Sequence, residues 1–292
     1  MKIPNRIKQF RVEDGKRFRL ADHDPADTLG LDIEKGEAKD MLAADIERLA
    51  ELQERLYAEH RWAVLVIFQA MDAGGKDSAI KHVMSGVNPQ GCDVHPFKRP
   101  SEEELAHDFM WRAMAKVPRR GHIGIFNRSY YEEVLIARVH PEVLDAQSLP
   151  PALVSKHTWK ERFEDIRNYE RYLLRNGILV LKFHLRMSKA EQRRRFLDRL
   201  DEPAKRWKFS MDDVAERQLW GRYMQAYEDM IRHTATARAP WYVVPADNKW
   251  FSRLVVARVM VHALESLDLK FPTVEGRALR QLQNAKKALL AE

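Results

Sequence analysis

Short apolar runs recur along the chain, with room for a helix between most neighbouring pairs. The runs are AVLVIF (63–68), CDVHPF (92–97), HIGIF (122–126), ILVLKFHL (178–185) and WYVVPA (241–246). Runs this short and rich in β-branched residues read as strands buried on both faces, and helices between them imply right-handed crossovers in a parallel sheet. Ahead of them, Leu42, Ile46, Leu49, Leu52 and Leu56 recur at helical spacing with charges between, which predicts one apolar helix face over 38–60. Residues 1–36 are polar and broken by Pro4, Gly15, Pro25, Gly30 and Gly36, the pattern of an arm lying over a core. Ser101 with Glu104 and Ser188 with Glu191 fit capping boxes. Pro150-Pro151 is expected to open a long helix that Gly177 closes. Trp220, Tyr223, Tyr227 and Ile231 share helical spacings and are expected in the core, and the Lys-, Arg- and Ala-rich tail after Pro272 reads as a peripheral or frayed helix.

Composition narrows the class. With 292 residues, 45% of them hydrophobic, the chain suits one domain, or one with an insertion, with enough length to bury a core. Lysine and arginine outnumber aspartate and glutamate 50 to 43, which predicts polyanionic partners: nucleic acid, an acidic membrane or a phosphate-rich small molecule. Cys92 is the only cysteine, so no intrachain disulfide can form and a reducing compartment is expected. The start, MKIPNRIKQF, lacks the apolar stretch of a signal peptide, and runs such as ILVL fall far short of the ~20 residues that span a bilayer. A cytoplasmic protein is the expectation.

The most informative segment is FQAMDAGGKDSAI, residues 68–80, which joins the first long strand to a helix. It is close to the phosphate-loop pattern G-x-x-x-x-G-K-[ST], with Ala70 in place of the first glycine and Asp77 in place of the hydroxyl. Gly74 and Gly75 let backbone amides turn toward an anion, the helix start adds partial positive charge, and Lys76 brings a full one. Asp77 removes the hydroxyl that would hold magnesium, leaving Ser78 one step later. A carboxylate at Asp72 among phosphates is repelled unless a divalent cation lies between them, so Asp72 is a candidate magnesium partner. The plain alternative is an aspartate that stabilises the turn.

Further candidates lie at strand ends, where folds of this class form their crevice. Asn127 and Arg128 follow the third strand, and Arg128 suits forked contact with phosphate. Of Glu132 and Glu133, one is expected to face the same cleft, with Glu133 the better candidate for a surface charge. Lys98 and Arg99 follow the second strand and border the crevice on this reading. Between Arg186 and Lys208 fall six arginines, in the crossover where a mobile lid closes over nucleotide in phosphate-transferring folds. Lys205, Arg206, Lys208 and Arg217 are candidates there to offset phosphoryl charge. His157, His184 and His233 show no metal spacing, and no Ser-His-Asp arrangement is readable.

Taken together, QAMDAGGKDSAIKHVMSGVNPQG, FKRPSEEELAHDFMWR, FNRSYYEEV, RWKFS and APWYVVPADNKW resemble the type-2 polyphosphate kinases, over residues 10 to 272. The resemblance implies a thymidylate kinase-like α/β fold: a P-loop kinase three-layer sandwich with a central five-stranded parallel sheet and a helical lid. It implies a single phosphotransferase domain over 1–272, with the arm 1–36, a lid at about 186–217, and a helical tail 273–292. The implied reaction moves a phosphoryl group reversibly from inorganic polyphosphate to ADP and AMP, with Mg2+ or Mn2+. Adenine and guanine nucleotides are the implied substrates and a homodimer or homotetramer the implied assembly, with neither nucleic acid nor membrane as partner. On this resemblance Asp72, Lys76, Arg128 and Arg217 are catalytic, with Asp72 the metal ligand. Gly74, Gly75, Lys76, Asp77, Ser78, Asn127, Arg128 and Glu132 hold nucleotide and phosphate. Lys76, Lys81, Lys208 and Arg217 hold polyphosphate. Many members carry Asp-Arg where this chain has Asn127-Arg128, and asparagine there, with Glu132, is similar to the class that accepts AMP as well as ADP.

The chemistry agrees with a cleft poor in candidate bases. The acceptor's nucleophile is a phosphate oxygen already largely ionised at neutral pH, because the second phosphate pKa is about 6. The difficulty is bringing two polyanions together, which needs cations more than a proton acceptor. An ATP-dependent nucleoside monophosphate kinase is the nearest rival; the missing hydroxyl after Lys76 and the extended basic lid stand against it. A nucleic-acid-binding module is suggested by charge alone.

Overall fold

A computed structural model describes residues 7–31 and 35–292. Six strands form one sheet: β1 (Arg11–Val12), β2 (Ala63–Gln69), β3 (Cys92–Pro96), β4 (Ile123–Asn127), β5 (Ile178–Arg186) and β6 (Trp241–Pro245), in the order β1-β6-β5-β2-β4-β3. The five apolar runs are the five parallel strands. The sixth strand is a correction to the five-stranded expectation: two residues of the arm pair antiparallel with β6, Arg11 opposite Tyr242 and Val12 opposite Trp241. Every residue of β2 is buried, which is why its run is continuously apolar rather than alternating.

Numbering helices of eight residues or more, α1 is Lys35–Glu59, α2 Lys76–Val83, α3 Thr158–Arg175, α4 Lys189–Asp201, α5 Met211–Gln218, α6 Trp220–Thr234, α7 Lys249–Glu265 and α8 Gly276–Leu289. α1 packs along α7, which also meets α2, while α3 packs on β5 and α6. In α1 the face carrying Leu49, Leu52 and Leu56 is the buried one, and α8 buries none of its residues, as a peripheral helix should. No helix among the described residues is long and apolar enough to cross a membrane.

Local signals set several helix ends. Ser101 and Glu104 form a complete capping box. Ser188 Oγ accepts from Glu191 N at 3.0 Å, but the Glu191 carboxylate is occupied by Arg194 and Arg195, so that box is only half made. Helix α3 starts later than Pro150-Pro151 suggests. Those prolines lead into a short 3-10 turn, Pro151–Leu153, and a second turn, with Ser155 N donating to Thr158 Oγ1 (2.9 Å), sets the true start. Its end is as expected, with Gly177 at φ +79° just beyond.

A buried polar knot joins the layers on one side of the sheet. Lys182 of β5 donates to Glu170 of α3 (2.7 Å) and to the carbonyl of Thr234 at the end of α6 (2.9 Å). Glu170 also accepts from the hydroxyls of Tyr130 (3.0 Å) and Tyr131 (2.6 Å). Burial pulls the Lys182 pKa down while Glu170 opposes it. The arm crosses the carboxyl ends of β5 and β6, where Arg186 Nε donates to His23 O (3.1 Å) and Asp247 N to Pro25 O (3.0 Å).

Candidate active site

The carboxyl ends of β2 and β4 lie side by side, Phe68 in register with Asn127, so the loop after β2 and the residues after β4 face one crevice. The loop reverses through Ala73 at φ +62° and Gly75 at φ +98° before α2 begins at Lys76. Gly74 is required sterically: a Cβ there would stand 2.6 Å from the Ala70 Cβ and 2.7 Å from Met71 O. Ala70 is therefore accommodated at the loop's entrance because position 74 has no side chain.

Lys76 is only 8% exposed, and its Nζ donates to Ala70 O at 2.6 Å, folding the side chain back over the loop. Burial lowers its pKa and the nearby Arg128 charge adds to that, against Asp72, Glu132 and Asp77. Arg128, in the left-handed region at φ +66°, donates from Nη2 to Asp72 Oδ1 at 2.7 Å, and its backbone N–H bonds Phe68 O at 3.1 Å. Its pKa is held above the ordinary arginine value, chiefly by the charge of Glu132, with Asp72 adding to it against burial. Asn127 Nδ2 donates to Asp77 Oδ1 at 2.6 Å. Gln69, with its amide oxygen toward Ser129, donates to Glu132 Oε1 at 2.8 Å, and the Glu132 charge acts on both Lys76 and Arg128. Ser78 Oγ accepts from Arg253 of α7 at 2.7 Å.

The segment after β5 reaches the same loop. Gln192 Nε2 of α4 donates to Asp72 O (3.0 Å) and Arg195 Nη1 to Ala73 O (2.9 Å). Arg217 of α5 donates to Gln192 Oε1 (3.0 Å) and to Lys189 O (2.7 Å), so it joins the cluster through the base of α4.

The residues from 32 to 272 match the model of the polyphosphate kinase 2 family. The chain belongs to that family. It is 48% identical over 291 residues to the ADP-polyphosphate phosphotransferase of Rhodopseudomonas palustris, covering 99% of this chain and all of that one. It is 46% identical over 269 residues to the AMP/ADP-polyphosphate phosphotransferase of Meiothermus ruber, covering 92% of this chain and 97% of that one. The crystal structure of polyphosphate kinase 2 from Arthrobacter aurescens superposes with a TM-score of 0.87 at 39% identity, covering 99% and 96% of the two chains.

Within this polyphosphate kinase, the candidates Asp72, Gly74, Gly75, Lys76, Asp77, Ser78, Asn127, Arg128 and Glu132 come together, and Arg217 joins them by way of Gln192. Several basic candidates do not, among them Lys205 and Arg206, which bond Glu202 Oε1 and Leu200 O. Lys81 is exposed in the last turn of α2. Lys208 is exposed in the 3-10 segment Pro203–Lys208, its Nζ lying 5.0 Å from the Trp207 ring centre. Glu133 is a correction: it is 4% exposed and buried against Gln147 and Arg162, its carboxyl pKa raised by burial and eased back by the Arg162 charge. His184 is buried against Tyr227, and burial, aided by Arg186, drives its pKa down to about 3, so it stays neutral. Gln69, Gln192, Arg195 and Arg253 were missed in the sequence. Arg195 lies inside an arginine run that reads as solvated charge, and the other three carry no local signal.

Proposed function

We propose that this polyphosphate kinase transfers a phosphoryl group from inorganic polyphosphate to ADP, making ATP, and to AMP, making ADP, with guanine nucleotides as further acceptors. The observation that carries the reading is that Lys76, donating to Ala70 O, and Arg128, donating to Asp72 Oδ1, bring two cations to one loop. Two cations so placed offset the mutual repulsion of donor and acceptor and the charge spread over a loose transition state. The relatives named for ADP, and for AMP and ADP, support the acceptor range, as does the neutral amide of Asn127.

Among the described residues there is no cluster of three or more metal-ligating side chains. That suits magnesium, which is bound through one or two carboxylates together with substrate phosphates, better than a caged ion. Asp72 is the proposed holder, and manganese would fit the same oxygen set. When bound, the ion supplies charge neutralisation between the phosphates. The chain's own part is orientation: Lys76 and Arg128 grip the reacting phosphates, and Arg217 approaches from α5. Lys81 and Lys208 meet polyphosphate farther from the reacting group. Of the lid at about 186–217, the part beyond α4 is the part that closes and sheds water, since α4 itself is held against the loop by Gln192 and Arg195. The assembly is proposed as a homodimer or homotetramer, for which the exposed Leu279, Leu282 and Leu289 of α8 offer apolar surface.

Initial rates with AMP, ADP, GMP and GDP against long-chain polyphosphate, with magnesium and without added ATP, test the proposal. Product is expected from both AMP and ADP and is expected to vanish when the divalent ion is chelated. Phosphorylation of either acceptor only when ATP is supplied would overturn it.

A further inference from the structure

The phosphate loop is held in shape from outside by one face of α4. Gln192 and Arg195 lie three apart on that helix and are 1% and 4% exposed. They hold two successive loop carbonyls, Gln192 Nε2 to Asp72 O at 3.0 Å and Arg195 Nη1 to Ala73 O at 2.9 Å. These carbonyls flank Ala73, whose φ of +62° is one that a residue with a Cβ adopts only under constraint. In a planar trans peptide the carbonyl and the following N–H point in opposite directions. Pinning Asp72 O toward α4 therefore turns the Ala73 N–H away from that helix. The Gly74 N–H is already committed to Met71 O at 2.9 Å, which closes the turn on the other side.

The same glutamine faces both ways. Its Oε1 accepts from Arg217 Nη1 at 3.0 Å, while its amide nitrogen serves the loop. Arg217 lies beside the first turn of α4, where burial and Arg193 both lower its pKa. Hydrogen bonds to Gln192 Oε1 and Lys189 O hold it there. Among the described residues, Gln192 is the side chain that bonds both an α5 arginine and the backbone at Asp72. Arg195 completes the support by bonding Asp247 O at 3.1 Å and Glu191 Oε1 at 2.7 Å, tying the loop to the end of β6 and to its own helix.

We propose that Gln192 is a positioning residue for phosphate binding: it holds the loop at Ala73 in its anion-receiving form and sets Arg217 against it, with Arg195 as the second strut. This rests on the reading of residues 69–76 as the phosphate loop. It makes the placement of an arginine in the lid and the shape of the loop one structural variable.

The test uses the 292-residue chain, its Gln192→Met variant, which keeps volume and loses both hydrogen bonds, and Gln192→Glu, which can accept from Arg217 but cannot donate to Asp72 O. Calorimetry measures tripolyphosphate binding, steady-state kinetics give kcat and KM for polyphosphate separately, and the thermal midpoint reports folding. Tripolyphosphate affinity is expected to fall about tenfold in Gln192→Met, with KM rising more than kcat falls. Gln192→Glu is expected to keep the binding defect despite its retained contact with Arg217. A lowered thermal midpoint with binding and KM within about twofold of the parent would show a structural role only and overturn the inference, as would unchanged behaviour throughout. A parent chain that binds no tripolyphosphate would overturn the phosphate-loop reading itself, and this inference with it.

Discussion

At the scale of single residues, the contact between Asn127 and Asp77, at 2.6 Å, sets how much negative charge stands beside the loop. An amide donates to the carboxylate and adds no charge. An aspartate at 127 would put two carboxylates in contact, a pair that either shares a proton or recruits a divalent cation. ADP brings such a cation more readily than AMP because it offers two phosphates to hold it. Asn127→Asp is therefore expected to lower kcat/KM for AMP relative to ADP by about tenfold, and an unchanged ratio in paired initial-rate measurements would contradict the explanation. Residues of this kind were legible because the chain holds them close together: Asp72 to Ser78 are consecutive, and Asn127 closes a strand whose register places it opposite Phe68, with Arg128 next. Gln192 and Arg195 were not legible, because they act on backbone carbonyls more than a hundred positions away and such contacts impose no pattern on sequence. Glu133 was misread for a related reason, since its burial depends on Arg162 and Gln147 from later segments.

At the scale of elements, α5 carries Arg217 and is tied to the rest of the molecule through Glu216. His140 Nε2 lies 2.9 Å from that carboxylate and its Nδ1 lies 3.1 Å from Glu142. Partial burial pulls the His140 pKa down, but the hydrogen bonds and charges of Glu216 and Glu142 outweigh it, leaving the value above its ordinary 6.5. A histidine whose pKa is raised on folding contributes stability that is complete below its unfolded pKa and fades as the pH rises through the folded one. Replacing it, as in His140→Gln, is expected to cost about 1 kcal/mol at pH 6 and progressively less on the alkaline side of the folded pKa. Thermal midpoints of parent and variant across that range measure the difference, and a gap that widened with pH would contradict the assignment. Elements with a strong apolar signal were legible, the five parallel strands as short continuous runs and α1 as a helical period. β1 was not, because two residues cannot show alternation, and their pairing with β6 is fixed by the arm's route over the sheet. The start of α3 moved to Thr158 because the hydrogen bonds of a local turn at Ser155 outrank the proline signal.

At the scale of the molecule, a buried ion pair links strand, helix and connecting segments behind the site. Lys182 and Glu170 are 0% and 2% exposed, and each is fully engaged by Tyr131, Tyr130 or Thr234 as well as by the other. Removing one partner leaves the other charge buried without compensation, so Lys182→Met is expected to destabilise the fold by about 3 kcal/mol in denaturant titration. A loss within about 0.5 kcal/mol would mean that Glu170 finds its proton or another partner at little cost. The knot lies on β5, whose carboxyl end leads directly into α4, so it supports the helix that braces the phosphate loop. The net charge of +7 fits the same picture, in which the crevice must draw in and hold two polyanions at once.

The central claim is that phosphoryl transfer from polyphosphate takes place at the loop that carries Lys76. The most direct measurement is the initial rate of ATP formation from ADP and long-chain polyphosphate, with magnesium and no added ATP, for the parent chain and for Lys76→Ala. Sustained ATP formation is expected from the parent, with a fall of about a hundredfold or more in the variant at an unchanged circular dichroism spectrum. A folded Lys76→Ala protein forming ATP at nearly the parental rate would contradict the account.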